Sequence, residues 1–428
     1  MHRFKCFLFS SLYILFLLPS QAQLSYFPPL VGNQWDQASF QDFPYDSSFT
    51  DSLYSYLENN KTKAFLVVYD GRIVKEKYFG NFTQDSFWYW ASAGKTLVSF
   101  LYGVARDKGL VEVGLPISSY LGVGWSSCTP QQEAQIKVWH LLTMSSGLDG
   151  QVPDPDCTDP ACLVYKGEPG TLWYYHNAAY YLTHHVLDSA SGMSLQNFMT
   201  QNLSIKTGIT GLWANTLFIS KPRSAARFGM LMLNKGIWNG DTIVHDRVYL
   251  DSMTTSSQVM NPAYGLLTWL NGKDTIMLPQ STVRLALPLN AAAPSDMYAA
   301  LGKNDQKIYV VPSQKLVIVR MGDDPGTGVL GPSSFDQLLW EHINRWRQMP
   351  SGIASIDAKI QVYPNPCNQI LRIPEGIESI RVFDLQGKEY FPDRFGSEIN
   401  TSSIANGIYL LQLQQDANLS SIRFQVQH

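Results

Sequence analysis

Strand-forming runs stand near both ends of a stretch that closes at about residue 348, and helix-like apolar patterns fill the space between them. Phe65 to Tyr78 reads as a hairpin: AFLVVY and RIVKEKY are rich in β-branched and aromatic residues. They meet at Asp70-Gly71, a pair that accepts the backbone geometry of a tight turn. Lys307 to Pro312 and Leu316 to Met321 read as two further strands turning through Pro312-Ser313-Gln314-Lys315, and Phe335 to Trp346 as an amphipathic closing helix. Between them, Ala91 to Lys108 has a helical, strongly apolar pattern (Leu97, Val98, Phe100, Leu101, Val104) that predicts a buried helix. A helix ending near Leu57 precedes the hairpin, and helices with irregular loops run on to about residue 255. Strands at both ends with helices between them predict one α/β-type sandwich whose sheet is assembled from N- and C-terminal segments.

The character of the chain changes after that. Residues 349–358 (MPSGIASIDA) are small and turn-rich, as linkers are, and from Lys359 onward short alternating strands dominate: KIQVYP, QILRI, SIRVFD, GIYLLQL and SIRFQV. The expectation is therefore a main domain over 23–348 and a small all-β module over 359–428. Residues 1–22 read as an export signal, with a basic start at His2, Arg3 and Lys5, an apolar stretch from Phe7 to Leu18 and a small-residue site at Ser20-Gln21-Ala22. The rival reading is a retained anchor, but the apolar stretch falls short of the about 20 residues that span a bilayer, so no stable membrane span is expected.

Export bears on the cysteines. Cys157 and Cys162 flank the short turn Thr158-Asp159-Pro160-Ala161, and in an oxidising compartment they are the expected disulfide. No second Cys/His pair sits at ligand spacing, so no metal is expected. With 16% charged residues and a net charge of -3, the chain lacks the basic excess that nucleic-acid binding needs.

Ser92-Ala93-Gly94-Lys95 is the only S-x-x-K in the chain and opens the predicted buried helix. A spacing of three places both side chains on one helix face, within reach of each other. Serine needs a base to take its proton, and a lysine can serve once burial lowers its pKa. The helix N-terminus adds partial positive charge and free N–H groups that could hold an oxyanion. By itself the tetrapeptide arises by chance about once in a chain of this composition, so its partners matter. Tyr175-His176-Asn177 supplies a second proton-transfer candidate in Tyr175 and an amide in Asn177. His176 points to the other side of an extended segment and reads as a packing residue. Trp173, Tyr174 and Tyr180 read as core or cleft wall.

Ser92-x-x-Lys95, HLLTMSSGL at His140 to Leu148 and Tyr175-x-Asn177, in that order, resemble the serine β-lactamase/penicillin-binding-protein superfamily. The similarity is to its class C-like branch of esterases, D-peptidases and 6-aminohexanoate-dimer hydrolases, and it covers about residues 60 to 345. The resemblance implies an α/β (α+β) serine β-lactamase-like fold, an antiparallel sheet plus a helical lobe, followed here by the small all-β sandwich domain. It implies no cofactor. It makes Ser92 the nucleophile, Lys95 the general base and Tyr175 its partner in proton transfer, with Asn177 orienting substrate or Lys95. His140 and Ser145-Ser146-Gly147 look like a structural segment below the site. The chain departs from the family pattern where a K-T-G or H-x-G is expected: the corresponding stretch, Ala299 to Gln306, holds neither. In the esterase-like branch a glycine-containing turn at that place offers a backbone N–H to the oxyanion, so the resemblance implies that Gly302 and Lys303 share the oxyanion hole with the N–H of Ser92, although Lys303 also reads as an ordinary solvated turn lysine.

VYPNP at Val362 to Pro366, VFDLQGKE at Val382 to Glu389 and IANGIYLLQL at Ile404 to Leu413 resemble the type IX secretion C-terminal sorting domain. That resemblance implies the type IX secretion machinery as a partner and a secreted or outer-membrane-surface location. Function is expected to be hydrolysis of a small ester or amide through an acyl-enzyme on Ser92. The alternatives are a β-lactamase or D-Ala-D-Ala peptidase, disfavoured by the missing K-T-G, and an inactive cell-wall or peptide-binding protein, disfavoured by the intact Ser92, Lys95 and Tyr175. Trp88, Tyr89, Trp90, Trp173 and Tyr174 hint at an apolar or aromatic acyl pocket.

Overall fold

The computed structural model describes residues 24–326, 332–347, 362–384, 388–415 and 418–428; the segments read as export signal and linker lie outside the described residues. Helix α1 (Thr50–Asn59) leads into strands β1 (Thr62–Tyr69) and β2 (Arg72–Tyr78), joined at Asp70 and Gly71. Both turn residues take positive φ, 45° and 89°. A single 3₁₀ turn, Ala91–Ala93, opens helix α2 (Gly94–Asp107), and helices α3 (Asn177–Ser191) and α4 (Pro222–Leu233) follow. Strands β3 (Trp269–Leu270), β4 (Tyr298–Gly302), β5 (Gln306–Val311) and β6 (Leu316–Gly322) lead to helix α5 (Ser334–Trp346).

These strands form one sheet in the order β2-β1-β6-β5-β4-β3, every neighbour antiparallel. The N-terminal hairpin thus joins the C-terminal strands through β1 and β6, with Leu66 opposite Val319. Both faces of the sheet are covered, which is why β5 and β6 are buried along their whole length. Ile308 points at α4, where Gly229 lets the helix approach so closely that an added Cβ would stand 3.1 Å from Ile308 and 2.4 Å from Val317. The next residue, Tyr309, meets Trp340 of α5 with ring centroids 5.6 Å apart, and successive strand residues face opposite ways. Helix α2 is enclosed as its pattern predicts: Leu97, Val98, Phe100 and Leu101 are fully buried, each contributing about 1.5–3 kcal/mol.

The small module has its own core of Leu371, Val382, Ile399, Leu411 and Phe424. Strands β7 (Ile370–Arg372) and β9 (Glu398–Asn400) belong to one sheet, and β8 (Ser379–Asp384), β10 (Gly407–Gln415) and β11 (Asn418–Val426) to another. The expected strand KIQVYP is corrected: its described part makes only an isolated bridge, Tyr363 to Arg372. Pro364 and Pro366 have no N–H to continue a ladder. Strands β3 and β4 were not expected. Ala299, Ala300 and Gly302 have low strand propensity, and β4 exists because β5 and β3 pair with it on both sides.

Candidate active site

Ser92 sits in the 3₁₀ turn before α2, and what surrounds it fixes its direction. The preceding Trp90 is buried, its Nε1 donating to Ser220 Oγ at 2.8 Å and its backbone N–H to the Phe218 carbonyl at 2.8 Å. Ala91 is then forced to a φ of 47°, a left-handed conformation that costs an L-residue about 1–2 kcal/mol. Such strain persists only where the surroundings over-determine it, and here it turns Ser92 toward a cleft of about 410 Å³.

Lys95, one turn on, is 3% exposed. Its Nζ stands 3.3 Å from Ser92 Oγ and 3.0 Å from Asn177 Oδ1, and 4.1 Å from the centroid of the Tyr180 ring. Burial pushes its pKa down to about 7, against the opposing pull of the Asp156 carboxylate. The amine is therefore in reach of the hydroxyl and largely uncharged just above neutrality. Tyr175 lines the same cleft as Ser92, and burial raises its phenol above the ordinary range against the opposing effect of the Ser92 hydroxyl, so it stays a neutral hydroxyl. Its ring stacks on Trp269 of β3 at 5.9 Å, which fixes its place between the sheet and α3. Asn177 begins α3, with its Nδ2 donating to Asp156 Oδ1 at 2.8 Å.

Across the cleft, β4 runs against the serine turn. A Cβ added to Gly302 would lie 2.3 Å from the Trp90 carbonyl oxygen and 3.0 Å from the Ala93 nitrogen, so glycine is what permits this approach. Lys303 is exposed and lines the same cleft as Ser92 and Lys95. The turn that follows takes left-handed backbone at Asn304 (φ 60°) and Asp305 (φ 56°) and is held from behind by buried polar groups. Gln306 Nε2 donates to the Asn304 and Gly322 carbonyls at 2.9 and 2.6 Å, and Arg320 to those of Asn304 and Asp305 at 2.6 and 3.1 Å. Lys307 bridges Asp305 at 2.9 Å and Asp336 at 2.8 Å, and Ser333 Oγ donates to Asp305 at 2.6 Å.

The fold thus brings Ser92, Lys95, Tyr175 and Asn177 together, with Lys303 on the opposite wall and Gly302, which is not among the cleft lining, packed against the serine turn. Cys157 and Cys162 are joined by a disulfide with Cα atoms 5.9 Å apart, and His176 is buried. The aromatic-pocket expectation is corrected in part. The cleft wall is Tyr174, Tyr175, Tyr180 and Tyr181, whereas Trp88, Tyr89, Trp90 and Trp173 are not among its lining. Trp88 and Tyr89 pair as a short strand with Ser220 and Ile219, and Trp173 packs into the core against Tyr264 and Trp269. Sequence reasoning missed Asp156 and the Gln306, Lys307, Arg320 and Asp336 group. For Lys307 and Arg320 there is a signal: a lysine and an arginine inside mostly apolar strands must find partners if those strands are buried. Among the described residues no cluster of His, Cys, Asp or Glu could hold a metal ion, and no helix is long and apolar enough to cross a membrane.

Comparison with known proteins gives two family matches: Beta-lactamase over residues 60–332 and Secretion system C-terminal sorting domain over residues 361–427. An uncharacterized protein of Alkalihalophilus pseudofirmus is 24% identical over 318 residues, 64% of this chain and 85% of that protein. Among solved structures, a provisionally assigned 6-aminohexanoate-dimer hydrolase from Bacillus anthracis has a TM-score of 0.55 at 16% identity, over 77% of this chain and 92% of that one. A family VIII carboxylesterase has a TM-score of 0.55 at 16% identity, over 73% of this chain and 99% of that one. Likeness at this identity concerns the fold.

Proposed function

The chain belongs to the beta-lactamase family, and we propose that it is an exported serine hydrolase that cleaves an ester or amide bond of a small substrate through an acyl-enzyme on Ser92. The observation that carries this reading is Lys95: a buried amine, shifted to about 7, at 3.3 Å from the one serine that opens a helix beside the cleft. In the acylation step neutral Lys95 takes the proton of Ser92 Oγ as the oxygen bonds to the substrate carbonyl carbon. The negative charge that develops on the carbonyl oxygen meets the N–H of Ser92 and the Gly302-Lys303 turn. Lys95 then returns the proton by way of Tyr175, a neutral hydroxyl beside Ser92 that gives its own proton to the departing alcohol or amine and is reprotonated by the ammonium, and water then releases the acyl group by the reverse path. The missing K-T-G favours esters and simple amides over β-lactams. The sorting-domain match supports export through the type IX secretion machinery, with residues 359–428 as the part recognised and 23–348 as the hydrolase, secreted or held at the outer-membrane surface.

A fluorophosphonate probe is expected to label the purified chain once, on the peptide carrying Ser92, as read by peptide mass. No label, or a label elsewhere, overturns the proposal. Gly302→Ala is expected to lower kcat on a nitrophenyl ester by about a hundredfold, the usual cost of losing one oxyanion donor, because the new methyl must push β4 off the serine turn. An unchanged kcat would remove Gly302 from that role.

A further inference from the structure

The group that decides how the Asn177 amide faces comes from outside the motifs. An amide has one donating and one accepting end, and a carboxylate on one side dictates which end meets the other side. Asp156 Oδ1 accepts from Asn177 Nδ2 at 2.8 Å, which leaves Asn177 Oδ1 toward Lys95 Nζ at 3.0 Å. Without that acceptor the amide can turn over and set its NH₂ against the amine. Tyr181 donates to the same Asp156 oxygen at 3.4 Å. The loop carrying Asp156 is pinned on both sides of it. The Pro155 carbonyl accepts the Ala178 N–H at 3.0 Å, one of the donors a helix leaves unpaired in its first turn, and the Cys157–Cys162 disulfide closes the other side.

We propose that Asp156 is a positioning residue, which sets the Asn177 amide and thereby aims Lys95 at Ser92, and that the Cys157–Cys162 bridge tethers it there. This rests on the reading of Lys95 as the base. The titratable groups against Lys95 are Tyr175, Tyr180 and Tyr181 and His184 on α3, and Lys303 lines the same cleft. Burial holds His184 down at about 3, so it is uncharged near neutrality, and Asp156 is the carboxylate that counters the burial of Lys95.

The test is the rate of fluorophosphonate labelling of Ser92 against pH in the full chain. Asp156→Asn keeps the shape and an acceptor but removes the charge, so its acid limb is expected to move to lower pH by about half a unit. Asp156→Ala removes the acceptor and is expected to slow labelling at pH 8 about tenfold, the worth of one charge-assisted hydrogen bond. The pair Cys157→Ser/Cys162→Ser is expected to slow labelling in the same direction. Labelling of Asp156→Ala at pH 8 as fast as that of the unaltered chain overturns the proposal; should that variant prove unfolded by its melting curve, an acid limb in Asp156→Asn that coincides with that of the unaltered chain overturns it instead. Unaltered labelling in the double serine variant overturns the tether. Absence of labelling at Ser92 in the unaltered chain overturns the hydrolase reading itself, and this proposal with it.

Discussion

Ser92→Ala and Lys95→Ala are each expected to reduce kcat on a nitrophenyl ester by at least about 10⁴-fold, and the double variant to be no slower than either. The reason is geometric. With Nζ at 3.3 Å from Oγ, the two side chains perform one act: the amine has no proton to take once the hydroxyl is gone, and the hydroxyl is a poor nucleophile once the amine is gone. Lys95→Arg should not rescue activity, because a guanidinium stays protonated at any working pH and cannot accept the proton. The same logic sets the pH dependence. Burial lowers the Lys95 pKa to about 7, the neutral amine is the active form, and kcat/KM should therefore rise with pH and level off above about 7, falling about tenfold per unit below it. Additive losses in the double variant, or a flat profile between pH 5 and 8, would show that Lys95 is not the base.

How far that site could be read from the sequence depended on distance along the chain. Ser92 with Lys95, and Tyr175 with Asn177, are short patterns whose spacing says which side chains share a face, and their order along the chain tied them together. The first hairpin was readable for the same reason, since Asp70-Gly71 states its own turn. Asp156 was not, because nothing in the run Pro153-Asp154-Pro155-Asp156 distinguishes an exposed carboxylate that meets α3 from one that meets water alone. The indole-rich run Trp88 to Trp90 misled in the opposite way: aromatic residues next to a nucleophile suggest a pocket, but Trp90 is turned inward to pack against Phe218 at 4.9 Å. Strand β4 carries small residues with little strand preference, and its pairing is decided by partners.

Those partners are also where the largest loss of stability is expected. Lys307→Met should lower the stability of the main domain by about 3–5 kcal/mol, a fall in Tm on the order of 10 °C in a thermal melt. Lys307 is buried with its Nζ between Asp305 and Asp336. Burial alone would push the lysine pKa down, yet the two carboxylates and their hydrogen bonds outweigh it and the net shift is upward, so the ammonium is kept. A thioether of similar volume fills the space but leaves two carboxylates that lose a common counter-charge, and an uncompensated buried charge is what makes breaking such a group costly. Replacing all three together, Lys307→Met with Asp305→Asn and Asp336→Asn, should recover much of the loss, because the charges leave as a set. Asp305 also lies in the Gly302–Gln306 turn, so the single variant should lower kcat on an ester more than KM as that turn loosens beside Ser92. A single variant that melts within about 2 °C of the unaltered chain would mean that the turn is held by Gln306 and Arg320 without the lysine.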